Sequence, residues 1–418
     1  MENFIVNNIQ EVVTFGCRLN IYESEIIKKN LVASGLENVI VFNTCTVTKE
    51  AEKSALQAIR KAKRNDPNVR IIVTGCGAQV NPTLFAKMIE VDKVIGNAEK
   101  LSPIHYQISD DKIAVNNIMS IKETANHLIS SFDGKSRAFL QVQNGCNHRC
   151  TYCIIPFGRG RSRSVPIGVI VNQIKHLMEL GYNEVVFTGV DVTSYGADLP
   201  GAPTFAQMIR RVLQLVPELS RLRLSSIDVA EIDDELFEMM AYSQKLMPHF
   251  HISLQSGDDT ILGLMKRRHT RTDVIDFCNK LRNIRKDVSF GADIIAGFPL
   301  ETDEMFENTK SLIVEADLQY LHVFPYSERH GTPAARMIQI EKQIRKARAE
   351  ILRIEGQKQL QKFFKKNLYQ TVKLLVEKNA TAHTENFIPV KILGNANPSE
   401  IIMGQLIGFE SNYMIAQV

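Results

Sequence analysis

The chain reads as an α/β protein of three parts. An N-terminal doubly wound parallel sheet comes first, then a central partial (β/α) barrel, then a small C-terminal antiparallel β-barrel. Three observations predict this. Short, near-continuous apolar runs alternate with helical periodicity through the first hundred residues, the pattern of parallel strands covered on both faces. A second alternating series begins near Arg137, and its repeated strand–helix unit suits a partial barrel with chemistry at the carboxyl ends of its strands. After a long basic helix, the pattern changes at Tyr369 to short segments suited to antiparallel strands.

The elements follow in order. Glu11–Phe15 (EVVTF), Val39–Asn43 (VIVFN) and Arg70–Gly75 (RIIVTG) are the expected strands of the first part. Between them lie the helical segments IYESEIIKKNLVASG, ending at Gly35, and EAEKSALQAIRKAKRN. The polar stretch Ser120–Ser136 is the expected linker. AFLQVQ, EVVFTG, RLRLSS, HFHISLQ, DIIAGF and YLHVFPYS are the expected barrel strands. The basic helix Gln339–Asn367 leads to TVKLLVEK, FIPVKIL, IIMGQLIGFE and YMIAQV. The expected domains are residues 1–120, 132–366 and 367–418.

Bulk properties narrow the function. A chain of 418 residues accommodates about three domains at roughly 150 residues each. Hydrophobic content of 44% and charged content of 23% describe a globular protein with ample core. No run is long and apolar enough for a membrane helix, and the first residues lack a secretory pattern, so a cytoplasmic protein is expected. Seven cysteines are too few for a disulfide scaffold of this length and point to metal or catalytic use. The net charge of +4 permits a nucleic-acid partner without arguing for one.

Cys146, Cys150 and Cys153 stand in NGCNHRCTYC with C-x3-C-x2-C spacing, directly after the first barrel strand. Iron–sulfur clusters are held by thiolates, and a full cuboidal cluster takes four. Three leave one iron open, and an open position on a metal is where substrate chemistry happens. Zinc would need His148 as a fourth ligand from inside the same short loop, and the bacterial ferredoxin run is absent.

This motif resembles that of the radical S-adenosylmethionine superfamily, with the aromatic Tyr152 before the last cysteine. The resemblance implies a cluster whose open iron binds S-adenosylmethionine and whose electron yields a 5′-deoxyadenosyl radical. FTGVDVTSYG, ISLQSGDD and DIIAGFPLET end the second, fourth and fifth strands and resemble the superfamily's cofactor-lining segments. The implied cofactor contacts are Tyr152, Thr188, Gly189, Gln255, Ser256, Asp293 and Gly297. Glycine admits close backbone approach, and Gln255 and Ser256 can hydrogen-bond ribose hydroxyls.

Cys17, Cys45 and Cys76 each follow a predicted parallel strand by one or two residues, and such positions converge at the carboxyl edge of the sheet. A lone cysteine is more often a buried small hydrophobe, as Cys278 in TDVIDFCNKLRNI is expected to be. The paired three-cysteine sets resemble the methylthiotransferase family over nearly the whole chain. That family joins an N-terminal cluster domain, a radical barrel and a C-terminal TRAM domain. The resemblance implies two 4Fe–4S clusters, ligated by Cys17, Cys45 and Cys76 and by Cys146, Cys150 and Cys153, with one S-adenosylmethionine as radical source and another as methyl donor.

GCRLNIYESE, NTCTVTKEAEKS and HVFPYSERHGTPAA are most similar to the branch acting on N6-threonylcarbamoyladenosine at position 37 of tRNA. Arg18 and Leu19 replace the glutamine–methionine pair of the isopentenyladenosine branch and the proline–lysine pair of the branch that modifies a ribosomal-protein aspartate. Both branches stay as alternatives, as does a non-catalytic metal-stabilised RNA-binding protein. The TRAM-like part carries Ala382 and His383 where the family commonly has glycine–tyrosine. Implied partners are the tRNA anticodon loop and an electron donor such as a flavodoxin or ferredoxin, with the enzyme a monomer. Arg159, Arg161 and Arg163 are candidates for the substrate carboxylate and tRNA phosphates, because guanidinium forks suit such anions. Lys342, Arg345, Lys346, Arg348, Arg353, Lys358, Lys362, Lys365 and Lys366 make the basic helix a candidate phosphate track or a solvated face. Phe157, Tyr326 and His383 are candidates for stacking on splayed bases.

Overall fold

The structure, a computed structural model, describes residues 9–107, 111–121, 132 and 135–418. Most of the expected linker therefore lies outside the described residues. The chain divides into two compact units. One comprises Met1–Ile129, Gln143–His148 and Cys153–Ser164, and the other Ser130–Val142, Arg149–Tyr152 and Val165–Val418. The expected boundaries near residues 120–132 and 366–367 do not separate these units throughout. Part of the second cysteine loop clusters with the N-terminal sheet, and the small C-terminal barrel clusters with the central one.

The first unit holds five parallel strands: β1 (Gln10–Thr14), β2 (Val39–Thr44), β3 (Arg70–Gly75), β4 (Lys93–Ile95) and β5 (Ile113–Ala114). They pair in chain order, so β1, β2 and β3 are immediate neighbours. Helices cover both faces. Phe42, Ile71 and Val73 pack with Ile59 of the helix Lys49–Asn65, while Val39, Val41 and Ile72 pack with Ile27 and Leu31 of the helix Arg18–Ser34. This even–odd division is the period-two alternation of a strand buried on both sides. The strands β4 and β5 are only three and two residues long, too short to stand out as apolar runs.

The second unit opens with β6 (Arg137–Gln141); a short antiparallel pair, β7 (Gln143–Asn144) with β8 (Arg163–Ser164), lies in the first unit and brackets the second cysteine loop. The strand β6 pairs in parallel with β9 (Glu184–Thr188), and β9 with β10 (Arg221–Leu224). Parallel bridges Leu222–Leu246 and Ile227–Ile252 lead to β11 (His249–Gln255), followed by β12 (Ser289–Ala296) and β13 (Tyr320–Pro325). No pairing joins β6 to β13 among the described residues, so the barrel is partial. All six expected barrel strands are present.

A closed barrel of β14 (Thr371–Glu377), β15 (Thr381–Thr384), β16 (Pro389–Leu393), β17 (Ile401–Phe409) and β18 (Met414–Gln417) ends the chain. Sequence reasoning missed β15, whose four residues TAHT carry no apolar run. The helix Lys342–Asn367 puts Phe363 and Phe364 into this barrel's core. The ring of Phe387 stacks on His249 at 4.7 Å, and Arg137 and Arg223 lie over the same ring. These contacts explain why the small barrel and the central one form a single unit. Cys278 is fully buried, and burial pushes its thiol up to about 12.

Candidate functional site

In the first unit, three neighbouring strands each deliver a cysteine at the carboxyl edge. Cys17 caps the helix Arg18–Ser34, Cys45 directly follows β2, and Cys76 opens the helix Cys76–Val80. The approach is close enough to demand glycine. Gly16 has φ +92°, and a Cβ there would lie 2.8 Å from the Cys45 Sγ. Gly75 has φ +93°, and a Cβ there would lie 2.3 Å from the Thr44 carbonyl oxygen. Such backbone is open to glycine alone at little cost.

Burial pushes the Cys45 thiol up to about 11, and the nearby charges of Cys76 and Cys17 push the same way. Three thiolates crowded together repel one another unless a cation sits among them. This donor set fits a cluster that takes three protein thiolates and keeps one iron open. The second set is equally sulfur-rich. Cys146 N–H donates to Gly160 O, and Cys146 Sγ accepts from His148 N–H at 3.3 Å. None of the seven cysteines forms a disulfide.

A buried polar network lies beside the first cysteine set. Arg159 grips Glu23 through both guanidinium nitrogens, at 2.8 and 3.0 Å, and its Nη2 also donates to Asn20 at 2.6 Å. Lys100 Nζ donates to Glu23 and to Asn97, each at 2.7 Å. Asn97 in turn donates to Gly158 O and reaches Cys76 Sγ at 3.6 Å. Arg159, Glu23 and Lys100 are at most 2% exposed. Burial opposes ionisation of Glu23, but the Arg159 and Lys100 charges outweigh it and hold the carboxyl at about 2. Burial lowers the pKa of the Lys100 ammonium, against the opposing pull of Glu23. Burial would likewise weaken the Arg159 charge, yet Cys76, Glu23 and Cys17 raise its pKa well above the ordinary value.

This network corrects the reading of the arginine burst. Arg159 is buried against Glu23 and has no face left for a substrate. Arg163 is 6% exposed and donates to the carbonyls of Arg159, Arg161 and Ile121. Arg161 alone is exposed. Sequence reasoning missed Glu23, Lys100, Asn20 and Asn97. The available signal was in NIYES, where Asn20, Glu23 and Ser24 put polar groups on one helical face at three- and four-residue spacing.

In the second unit, the strand ends carry the remaining expected residues. Tyr152 packs edge-on against Phe298 with centroids 6.5 Å apart. Arg267 brings Nη1 to 4.0 Å from Cys150 Sγ while Nη2 donates to Ser253 O. Gln255 is left-handed at φ +71° and partly exposed. Gly189 is partly exposed, and Gly297 has φ +71° with its N–H donating to Glu301. Burial pushes Glu301 up to about 6, despite the opposing Arg348 charge.

Two of the expected contacts are corrected here. Ser256 is wholly buried, with its hydroxyl against Thr309 and accepting from Asp258 N–H, so it is not available to a ribose. Thr188 is 2% exposed and donates its hydroxyl to Val186 O. Asp293 lies between two histidines, His251 and His322.

The RNA candidates also divide. Tyr326 is 5% exposed, and His383 packs at a tilt against Phe387 and faces Glu377 at 3.2 Å, so neither is an open stacking platform. Phe157 is half exposed. On the basic helix, Arg345 and Arg348 are buried and paired with Glu328 and with Glu301 and Asp303. Lys342, Lys346, Arg353, Lys358, Lys362, Lys365 and Lys366 are exposed.

Residues 140–313 match the family described as the radical SAM superfamily, and residues 10–96 match the uncharacterized protein family UPF0004. The threonylcarbamoyladenosine tRNA methylthiotransferase MtaB of Rickettsia prowazekii (strain Madrid E) is 69% identical over 99% of this chain and 99% of its own. The protein of the same name from Aquifex aeolicus (strain VF5) is 37% identical over 93% of this chain and 98% of its own. Among solved structures, the radical S-adenosylmethionine methyltransferase TsrM from Kitasatospora setae aligns with a TM-score of 0.56 over 75% of this chain and 74% of its own. At 14% identity that likeness concerns the fold alone. The chain belongs to the radical S-adenosylmethionine family of threonylcarbamoyladenosine tRNA methylthiotransferases.

Proposed function

We propose that this protein adds a 2-methylthio group to N6-threonylcarbamoyladenosine at position 37 of tRNA. The observation that carries this reading is the 69% identity to the Rickettsia relative across essentially the whole of both chains. The two three-cysteine sets supply the donor chemistry that such a transfer needs. The enzyme uses two 4Fe–4S clusters and S-adenosylmethionine. In this reading Cys146, Cys150 and Cys153 hold the cluster that meets S-adenosylmethionine, and Cys17, Cys45 and Cys76 hold the one that presents sulfur. When bound, these groups supply a radical able to take a hydrogen atom, together with sulfur and a methyl group.

The chain's own residues place and insulate that chemistry. Tyr152, Gly189, Gln255 and Gly297 line the cofactor at the strand ends. Arg267 holds positive charge beside Cys150 and is itself anchored on Ser253 O and Asp228. The Arg159–Glu23–Lys100 network offsets thiolate charge beside the N-terminal set. Arg161 and the exposed lysines of the helix Lys342–Asn367 contact tRNA phosphates around the anticodon loop. An electron donor of the flavodoxin or ferredoxin type delivers the reducing equivalent, and the enzyme works as a cytoplasmic monomer. No helix among the described residues is long and apolar enough to cross a membrane.

Nucleoside mass analysis of tRNA from a strain lacking this protein tests the substrate. Loss of 2-methylthio-threonylcarbamoyladenosine, with its unmethylthiolated precursor accumulating, is expected. Unchanged levels of it, with loss of the isopentenyladenosine product instead, would transfer the protein to the other branch.

A further inference from the structure

Three donor atoms meet inside the second unit, on three adjacent barrel strands. His251 on β11, Asp293 on β12 and His322 on β13 offer one ligand atom each, and all three atoms lie within 4.8 Å of one another. His251 Nε2 is 3.1 Å from Asp293 Oδ1, and His322 Nδ1 is 3.2 Å from that same oxygen. The two imidazole rings lie 4.6 Å apart. Strand register makes the group: Asp293 is directly opposite His322, and His251 is directly opposite Gly291. A Cβ on Gly291 would sit 2.4 Å from His251 Nδ1, so the glycine makes room for the ring.

Hydrogen bonding accounts for only half of this arrangement. His322 Nδ1 has hydrogen-bonding geometry to Asp293. His251 Nε2 faces the same oxygen as a charge contact at 3.1 Å, and this buried nitrogen makes no regular hydrogen bond. His251 is only 8% exposed, so no bulk water compensates it. A buried polar nitrogen without a hydrogen bond carries an uncompensated desolvation cost. Both contacts instead have the spacing of two ligands on one metal. With metal–nitrogen and metal–oxygen bonds of about 2.0–2.2 Å, neighbouring ligand atoms lie roughly 3–3.5 Å apart.

We propose that His251, Asp293 and His322 bind one divalent transition-metal ion of zinc type, separate from the six cluster cysteines, which takes Asp293 out of the implied S-adenosylmethionine contacts. The set is two imidazoles and one carboxylate, the donors such borderline ions prefer. The carboxylate provides the charge that the metal requires. His322 is 61% exposed at its side chain and Asp293 26%, so the third side of the group is open and a further coordination position stays available. An open position on a metal accepts an anionic oxygen or a water. The inference does not depend on which tRNA nucleoside the enzyme modifies.

The test uses full-length protein with both clusters assembled anaerobically, then equilibrated with low-micromolar zinc and desalted. The expected result is about one zinc per chain, with iron and sulfide unchanged. Its X-ray absorption should fit a shell of nitrogen and oxygen at about 2.0–2.1 Å with imidazole scattering. His322→Ala, an exposed position that leaves the fold intact, should lower zinc affinity by at least about tenfold, and Asp293→Asn should do the same. Sulfur neighbours at about 2.3 Å would mean zinc in the cysteine sites and would overturn the proposal. So would zinc retention by His322→Ala equal to that of the parent, or no zinc retained at all. In the last case Asp293 merely accepts a hydrogen bond from His322.

Discussion

Replacing Arg159 by methionine separates two roles that the chain position alone leaves open. The side chain makes two hydrogen bonds to Glu23, at 2.8 and 3.0 Å, and one to Asn20 at 2.6 Å, all in a fully buried setting. Removing one partner of a buried ion pair costs about 3–5 kcal/mol, because the other charge is stranded. Here Lys100 stays on Glu23 at 2.7 Å, so the carboxylate keeps one cation and the lower end applies. About 3 kcal/mol corresponds to a drop of about 6–12 °C in melting temperature for a unit of this size. Calorimetry of the melting transition that includes the N-terminal sheet reads it directly. Binding of tRNA at fixed salt, on protein folded well below that transition, should change little. An unchanged melting temperature with weakened tRNA binding would refute the buried-network account and return Arg159 to the substrate.

Arg161→Ala should do the reverse, leaving melting unchanged and reducing the slope of log affinity against log salt by about 0.7–0.9, one phosphate contact. Glu23 makes stability acid-sensitive. Its folded pKa of about 2 lies below the ordinary 4.5, so its contribution is present above pH 4.5 and lost as pH falls toward 2. That contribution is about 3 kcal/mol, from 1.36 kcal/mol per pKa unit, and Glu23→Gln should flatten the fall in unfolding free energy over that window. Gly16→Ala puts a Cβ 2.8 Å from Cys45 Sγ on backbone with φ +92°. Reconstituted iron should fall from about eight to about four per chain, with the barrel cluster retained; a full count of eight would show that the cysteine edge tolerates the added carbon.

The strands and cysteines were legible because their signals are local. Val39–Phe42 and Ile71–Val73 are unbroken apolar runs, and each cysteine of the first set lies close to a strand end. The destination of Arg159 was not legible. Its partner Glu23 is 136 residues away, and the charge burst RGRSR looks like a solvated loop until the chain folds back. Lys100 likewise stands 77 residues from Glu23, in a stretch with no buried-charge signature. Ser256 and Gln255 are adjacent in sequence, yet one is sealed against Thr309 and the other is partly open, a distinction set by the tertiary packing around the strand end. His251, Asp293 and His322 look unrelated in sequence because only parallel register sets them side by side. The strand β15 failed for a different reason: in a small closed barrel, ladder bonds on both sides can hold a strand whose four residues lack an apolar run.

Purified protein with both clusters assembled, given reductant, S-adenosylmethionine, a sulfide source and tRNA carrying N6-threonylcarbamoyladenosine, should convert that nucleoside to its 2-methylthio form and release 5′-deoxyadenosine. A Cys150→Ala variant should do neither. Turnover of isopentenyladenosine tRNA with the threonylcarbamoyl nucleoside left intact, or tRNA binding without any 5′-deoxyadenosine, would contradict the account.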